Sequence, residues 1–389
     1  MKVIQLSVTI LMMTILLFSF LAAVPVQGKE DGDKDNNGKA KVRVIAHTDK
    51  EVSDALENGC KIVREAKTLK ALKCSPDVAT ALGLQEDVRI FTMDSGANTQ
   101  IKADLVQSSG NIGAERKVAV LDTGYNYNHP DLSSSYIAGT DLVNDDNDPL
   151  DDNGHGSHVA GIITADGNDA KAKGVAPGTG IIAVKVLGAS GSGYFSDVVA
   201  AIYWVVDGPN GVPKDGDDFN ADAISMSLGT SQPYVYKGFC DKVLPDLTTS
   251  IKYAIDRGVI VVVAAGNSGT AGISIPGCIS YSTTVGAVDK SDKIASFSGR
   301  GNALDITAPG VNIYSTWLTN QYKTLSGTSM ATPMVSGTVA LIKAAHPTYT
   351  VAQVQTALFK TAKDLGKTGW DSTFGWGRVD AYGAVNYPV

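Results

Sequence analysis

The pattern of hydrophobic and polar positions changes at about residue 92. Residues 41–91 begin with KVRVIAH, in which apolar and polar residues alternate as in a half-buried strand. The charged segment KEVSDALENG follows, and after it come KIVREAKTL, PDVATALGLQ and VRIFTM. This order predicts a strand, a helix, a strand or hairpin, a second helix and a last strand, which together form a small α+β unit.

Beyond residue 92, apolar runs that end in glycine alternate with helical stretches. The runs are KVAVLDTG, GIIAVKVLG, ADAISMSLG and GVIVVVAAGN, and YFSDVVAAIYWVV is typical of the helical stretches. Such runs predict an α/β fold with a mostly parallel central sheet that helices cover on both faces, which makes three layers. Function in such sheets gathers at the carboxyl ends of the strands.

The amino-terminal residues have the pattern of an export signal. Met1 and Lys2 precede an apolar run from Ile4 to Val24, and small and polar residues follow up to Gly28. An uncleaved membrane anchor is the alternative, because the run approaches the ~20 residues that span a bilayer. The small residues and the polar tract KEDGDKDNNGKA favour a signal peptide over residues 1–28 and a polar linker over 29–40. We therefore expect a secreted, extracellular protein without stable membrane association after cleavage.

Composition and charge narrow the class of protein. The 389 residues are 43% hydrophobic and 19% charged, which indicates a globular chain with a large core. The net charge of −7 and the absence of a Lys/Arg stripe argue against nucleic acid as a partner. The four cysteines are Cys60, Cys74, Cys240 and Cys278. Export permits disulfides, but the sequence does not determine the pairing.

Three residues with the chemistry of a serine hydrolase stand at predicted strand ends and helix starts. Asp122 ends a strand, His155 opens a helix in DNGHGSHVAG, and Ser329 opens another in SGTSMATP. Their order, Asp then His then Ser, differs from the orders found in α/β-hydrolases and in chymotrypsin-like enzymes. His155 and His158 lack the spacing and the intervening Glu of a zinc protease helix, so we interpret His158 as structural.

From about residue 89 onward the chain resembles the subtilases, which are secreted subtilisin-like serine proteases. The matching segments are VAVLDTG, HPDL, NGHGSHVAG, GVAP, AVKVLG, SMSLG, AAGN, APG and SGTSMATP, in the family's order. The resemblance implies a subtilisin-like fold and peptide-bond hydrolysis by a triad. A catalytically dead binding module and a structural or adhesion protein are the alternatives, and the presence of all the catalytic residue types argues against the first.

The chemistry of peptide hydrolysis assigns a role to each residue. Ser329 attacks the carbonyl, His155 removes its proton, and Asp122 stabilises the imidazolium. The helix dipole favours negative charge beside Ser329. The resemblance implies that Asn267 of AAGN donates a hydrogen bond to the oxyanion.

The resemblance also implies where a substrate binds. An extended peptide can be held as an added strand on an exposed edge. Acidic residues do not cluster in the lining segments, so we expect broad cleavage of protein or peptide substrates with an apolar preference. The implied lining residues are Ser227, Leu228, Gly229, Ala264, Ala265 and Gly266.

Acidic loops predict structural calcium, with more than one site. The resemblance implies one site at Asp141, Asn144, Asp146 and Asp148. It implies a second at Asp131 and Asn168, to which Asp94 is expected to contribute. The spacing of carboxylates and amides alone suggests a third, for which a solvated acidic loop is the alternative. Its candidate ligands are Asp215, Asp217, Asn220 and Asp222.

Residues 41–93 resemble the subtilase propeptide in position, size and element order, and residues 94–389 form the predicted catalytic domain. A small, fast-folding unit can template a parallel sheet, whose many nonlocal contacts slow its folding. We therefore expect a zymogen that cuts its own chain between Ile90 and Gly96. The propeptide then remains as a partner, first as a chaperone and then as an inhibitor of a monomeric enzyme. An accessory domain that stays attached is the alternative.

Overall fold

The computed structural model describes residues 41–66, 69–86 and 96–389. The predicted signal peptide, the polar linker, Asp94 and the predicted strand DVRIFTM lie outside these residues. The chain forms two compact units, Met1–Phe91 and Thr92–Val389. Within the described ranges, no helix is long and apolar enough to span a bilayer.

The first unit is a small antiparallel sheet with two helices. Its strands lie in the order β2-β3-β1-β4, and β2 and β3 form the hairpin that the sequence allowed. Helix α1 begins at a capping box in which Thr48 and Glu51 bond each other's backbone N–H groups. A disulfide between Cys60 and Cys74 lies in the small apolar core. The elements are β1 Val42–Ala46, α1 Asp49–Glu57, β2 Lys61–Ala66, β3 Leu69–Cys74, α2 Pro76–Ala81 and β4 Gln85–Glu86.

The second unit is built on a seven-stranded sheet, and all its strand pairs are parallel. The strand order is β13-β12-β10-β8-β5-β7-β6, so the chain passes from β5 to the edge strand β6, returns through β7, crosses to β8 and from there winds outward to β13. This confirms the predicted α/β fold. The strands of the sheet are β5 Lys117–Asp122, β6 Tyr136–Asp141, β7 Gly180–Lys185, β8 Ala223–Met226, β10 Ile260–Ala264, β12 Thr283–Val288 and β13 Ile306–Pro309.

The second unit also contains two short antiparallel strand pairs. Strands β9 Val235–Tyr236 and β11 Ile273–Ser274 form one pair, and β14 Ile313–Thr316 and β15 Tyr322–Leu325 form the other. The helices are α3 Ala97–Gln100, α4 Ala103–Ser108, α5 His155–Thr164, α6 Phe195–Asp207, α7 Pro245–Asp256, α8 Thr328–Ala345, α9 Val351–Thr361 and α10 Ala381–Val385, with 3-10 turns at Ala170–Ala172 and Gly269–Ala271.

Side chains of the central strands alternate between two apolar cores, which makes the three layers. In β5, Val118 and Val120 belong to the core beneath α5 and α8, and Ala119 and Leu121 belong to the core beneath α6 and α7. A period of two residues along a strand requires this division. A second disulfide, between Cys240 and Cys278, lies in the core beneath α6 and α7.

Candidate active site

The predicted catalytic side chains meet at the carboxyl ends of the central strands. Strand β5 ends at Asp122, helix α5 begins at His155, and Ser329 is the second residue of α8. His155, Asn267 and Ser329 line one cleft of about 820 Å³. Asp122 is fully buried behind His155. The structure therefore brings together four residues that are up to 207 positions apart in the sequence (329 − 122).

Asp122 and His155 form a close pair. His155 Nδ1 lies 2.7 Å from Asp122 Oδ1, and the same oxygen accepts the backbone N–H of Thr123 at 2.8 Å. Burial alone would lower the pKa of His155. The charge of Asp122 and its hydrogen bond outweigh burial, however, so that the pKa of His155 is raised above its usual value of 6.5. With Nδ1 bound to Asp122, Nε2 is the ring nitrogen that remains to exchange a proton with groups in the cleft.

Ser329 Oγ donates a hydrogen bond to the backbone carbonyl of Ser227 at 3.1 Å. In the described part of the chain, no hydrogen bond joins this hydroxyl to the imidazole of His155. Catalytic hydrogen bonds are often long or poorly aligned without substrate and tighten in the complex. A rotation about the Cα–Cβ bond of Ser329 would redirect the hydroxyl.

Asn267 is oriented by Thr328, a residue that the sequence analysis did not single out. The side-chain oxygen of Asn267 accepts hydrogen bonds from the backbone N–H of Thr328 at 3.0 Å and from its hydroxyl at 3.1 Å. Because both bonds go to the oxygen, the NH2 group is left to donate. Thr328 Oγ1 also accepts the N–H of Gly266, which ties the asparagine loop to the start of α8.

The predicted substrate-lining segments flank the cleft. Ser227, Leu228, Gly229, Ala264 and Gly266 line it. Ala265 does not line the cleft, because its side chain is fully buried and its backbone groups bond Val285 and Ser274.

Ser274 contacts both walls of the cleft and explains the glycine in each. A Cβ atom added to Gly266, whose φ is +85°, would lie 2.0 Å from Ser274 Oγ. A Cβ added to Gly229 would lie 2.9 Å from Ser274 Cβ. Each wall therefore carries a glycine at the point where Ser274 approaches it.

His158 is one turn further along α5 and is buried away from the proton-transfer pair. Its Nε2 lies 2.9 Å from the backbone carbonyl of Lys323 in β15, to which it donates, and its Nδ1 is buried without a partner among the described residues. Burial lowers the pKa of His158 to about 4, so the ring is neutral. This placement agrees with the predicted structural role.

Of the predicted metal ligands, Asp131 is fully buried and already hydrogen-bonded. Its Oδ1 accepts the backbone N–H of Asn168 at 2.6 Å, and its Oδ2 accepts the hydroxyl of Tyr322 at 2.9 Å. The side-chain amide of Asn168 donates to the carbonyl of Pro130. Both carboxylate oxygens of Asp131 thus have protein partners.

The residues predicted for the loop after β6 also have hydrogen-bond partners, most of them within that loop. Asp141 accepts the N–H groups of Val143 and Asn144 and the side-chain amide of Asn144. Asp146 accepts the N–H of Asp148, and Asp148 accepts the hydroxyl of Tyr127.

The loop between α6 and β8 brings carboxylates together. Across the described ranges, the one group of three acidic, histidine or cysteine side chains with ligand atoms all within 4.8 Å of one another is Asp215, Asp217 and Asp218. Oδ1 of Asp217 and Oδ1 of Asp218 are buried there without a hydrogen-bond partner. The predicted Asn220 is exposed, and Asp222 instead accepts the N–H of Lys117 at 3.1 Å. Asp218 was not among the predicted ligands.

A parallel α/β sheet that carries an aspartate–histidine pair and a helix-start serine in one cleft is typical of hydrolases with a serine nucleophile. Comparison with known proteins specifies the class further. Residues 113–377 match the Subtilase family. The chain is 41% identical to subtilisin DY of Bacillus licheniformis over 274 residues, which are 68% of this chain and 90% of that protein.

Two other relatives are similar over different shares of their length. An alkaline protease of Shouchella clausii is 37% identical over 346 residues, 86% of this chain and 84% of that protein. A thermophilic serine proteinase of Bacillus sp. (strain AK1) is 40% identical over 281 residues, 72% of this chain. The chain spans only 63% of the length of this last relative. The chain belongs to the subtilase family and is a serine endopeptidase of the class that uses an Asp–His–Ser triad.

Proposed function

We propose that Asp122, His155 and Ser329 form the triad of a secreted endopeptidase that is made as a zymogen. The hydrogen bond of 2.7 Å between His155 and the buried Asp122, with His155 and Ser329 lining the same cleft, carries this proposal. Asp122 fixes the ring tautomer with the proton on Nδ1, which leaves Nε2 as the base.

In the first step, Ser329 Oγ forms a bond to the carbonyl carbon of the scissile peptide while His155 Nε2 takes the hydroxyl proton. The electron pair of the carbonyl moves onto oxygen, where the NH2 group of Asn267 donates to it. The tetrahedral intermediate then collapses and expels the amine, which takes the proton from His155. Water repeats the sequence on the acyl-enzyme and releases the carboxylic product.

The walls of the cleft support an apolar preference with broad specificity. Leu187, Val198 and Leu228 line the cleft, together with the aromatic side chains of Tyr194 and Phe195. Burial of an apolar substrate side chain against such walls contributes about 1.5–3 kcal/mol. Asp and Glu do not occur among the described residues that line the cleft, which argues against a requirement for basic substrates.

Calcium is proposed as a structural ion, and the loop between α6 and β8 fits it best. Carboxylate oxygens are the ligands that Ca²⁺ prefers, and two such oxygens, of Asp217 and Asp218, are buried without a partner. The pKa of Asp217 is raised, chiefly by the adjoining carboxyl of Asp215, and the charge of Asp218 also raises it. A bound cation would offset the repulsion among these three carboxylates. The Asp131 and Asp141 sites remain predictions.

We also propose that residues 41–93 act as a propeptide. The described part of this unit has its own small core, a disulfide and a capped helix, which are features of a segment that folds independently. As an intramolecular chaperone and inhibitor, it would be released by cleavage between Ile90 and Gly96.

A serine-directed phosphonate tests the assignment of the nucleophile. Incubation of the active protein should abolish casein hydrolysis and add the mass of one phosphonyl group to the peptide that contains Ser329. The Ser329→Ala variant should be inactive, should show the circular dichroism spectrum of a folded protein and should not gain this mass. Labelling of another residue, or casein hydrolysis by purified Ser329→Ala, would refute the assignment.

A further inference from the structure

The carboxylate of Asp151, four residues before His155, accepts more hydrogen bonds than Asp122 does. Its Oδ1 accepts the hydroxyl of Thr123 at 2.9 Å and the N–H groups of Asn153 and Gly154 at 3.0 and 2.8 Å. Its Oδ2 accepts the N–H and the hydroxyl of Ser157 at 2.8 and 2.6 Å. The residue is only 5% exposed.

One group of these bonds connects Asp151 to the end of strand β5. Thr123 follows Asp122 directly, and its backbone N–H donates to the same Asp122 oxygen that holds His155 Nδ1. The hydroxyl of Thr123 donates to Asp151 and accepts the N–H of Gly156 at 2.9 Å. Thr123 is thereby fixed on one side by the catalytic aspartate and on the other by Asp151.

The remaining bonds connect Asp151 to the start of helix α5. The N-cap of α5 is Gly154, which has a φ of +103° and no side chain to satisfy the first N–H groups of the helix. Asp151 takes over this function by accepting the N–H of Ser157 within the first turn. His155 is the first residue of the helix, so the same carboxylate sets the position of its backbone.

The number of donors shows that Asp151 is ionised. A neutral carboxyl would have to place its own proton among donors, whereas a carboxylate accepts at both oxygens. Burial alone would raise the pKa of Asp151, but the bonds from Ser157, Gly154 and Asn153 outweigh burial and lower it. Of the titratable groups around His155, Asp122 and Asp151 carry negative charge that favours the imidazolium, whereas His158 is neutral.

We propose that Asp151 is a positioning residue that locks the aspartate end of β5 to the histidine end of α5 and so fixes the geometry of the Asp122–His155 pair. The inference rests on the proposed triad. An ionised side chain suits this position because one carboxylate reaches donors from both segments. In Asp151→Asn, the side-chain NH2 group would replace one of the two carboxylate oxygens, so its two hydrogens would face donors that now bond to that oxygen.

The test is Asp151→Asn in the full chain, with kcat and KM measured on a peptide p-nitroanilide across pH. Because a misplaced catalytic group costs on the order of 100-fold, we expect kcat to fall roughly 10- to 100-fold with KM changed less than about threefold. Removal of the negative charge lowers the pKa of His155, so the acid limb of the kcat/KM profile should move to lower pH.

The control is Asp207→Asn. Asp207 is equally buried, accepts the hydroxyl of Tyr253 and does not line the cleft.

Asp207→Asn should lower the melting temperature, but its kcat and its acid limb should stay at the wild-type values. Ser157→Ala, which removes one bond to Asp151 but keeps its charge, should lower kcat less and leave the acid limb in place. This variant decides the matter if Asp151→Asn does not fold. The inference would be overturned if Asp151→Asn kept both the kcat and the acid limb of the wild type. It would also be overturned if Ser157→Ala kept the wild-type kcat. Failure of the phosphonate to label Ser329 in the wild type would instead refute the proposed triad.

Discussion

Ser227 and Ser329 exchange two hydrogen bonds across the cleft. The hydroxyl of Ser227 donates to the backbone carbonyl of Ser329 at 2.8 Å, and the hydroxyl of Ser329 donates to the backbone carbonyl of Ser227 at 3.1 Å. Ser227 follows strand β8, and Ser329 lies in the first turn of α8. The proposed substrate-binding edge and the proposed nucleophile therefore fix each other. The bond from Ser329 must break before its proton can pass to His155.

The bond from Ser227 predicts a moderate loss of activity in Ser227→Ala. This variant loses the hydroxyl that holds the backbone of Ser329, and one neutral hydrogen bond contributes about 0.5–1.5 kcal/mol. We expect kcat to fall roughly 2- to 12-fold, which corresponds to that range.

Ser336→Ala is the matched control, measured by the same steady-state assay. The hydroxyl of Ser336 donates to that of Ser225 at 2.9 Å, so it joins the same strand and helix farther from the cleft. Its kcat should stay at the wild-type value. An equal fall of kcat in both variants would mean that the contact between β8 and α8 matters only for packing.

The raised pKa of His155 predicts the position of the acid limb of activity. His155 must be neutral to act as a base, so activity appears as the pH rises through its folded-state pKa. Because Asp122 raises this pKa, kcat/KM should rise with an apparent pKa above the usual value of 6.5. Asp122→Asn should move the limb to lower pH. An apparent pKa below 6.5 for the acid limb of the wild type would contradict the prediction that Asp122 raises the pKa of His155.

Calcium is expected to stabilise the catalytic domain through the loop between α6 and β8. An ion that binds only the folded chain adds about 2.7 kcal/mol at a hundredfold excess over its Kd. The melting temperature should therefore rise with calcium and fall with chelator, and Asp217→Ala should lose most of this difference.

Asp146→Ala is the comparison variant, because Asp146 belongs to the other predicted acidic loop. Differential scanning calorimetry at several calcium concentrations separates the two loops. A calcium response that is lost in Asp146→Ala and kept in Asp217→Ala would assign the ion to the loop after β6. Identical melting curves with calcium and chelator would refute a structural ion.

Self-processing predicts a difference between two amino termini. Wild-type protein should begin between Ile90 and Gly96, because Ser329 cuts the chain there, whereas Ser329→Ala should retain residues 41–93. Edman sequencing of both purified proteins measures this. Addition of active wild-type enzyme to Ser329→Ala should restore the cut if the segment is accessible between molecules. Retention of Lys41 in fully active wild-type protein would exclude processing.

Much of the fold and of the candidate site could be predicted from local sequence. Apolar runs that end in glycine predicted the strands of the parallel sheet, and the motifs around Asp122, His155 and Ser329 predicted which strand ends and helix starts carry polar side chains. These features depend on short stretches of chain, where side-chain periodicity and turn residues fix the backbone. The succession of strands and helices in the described part of the first unit was predictable for the same reason, whereas the order in which its strands pair was not.

Tertiary structure alone decided which distant groups become partners. The packing of folded segments sets the two disulfide pairings, Cys60 with Cys74 and Cys240 with Cys278. It also brings the carboxylate of Asp222 to the backbone N–H of Lys117 and orients the side chain of Asn267 through Thr328. Asp151 is the clearest case, since in the sequence it is one more acidic residue of a polar loop. Packing buries its carboxylate among donors that follow β5 and donors at the start of α5, and a buried charge is tolerated only where such hydrogen bonds compensate the loss of water.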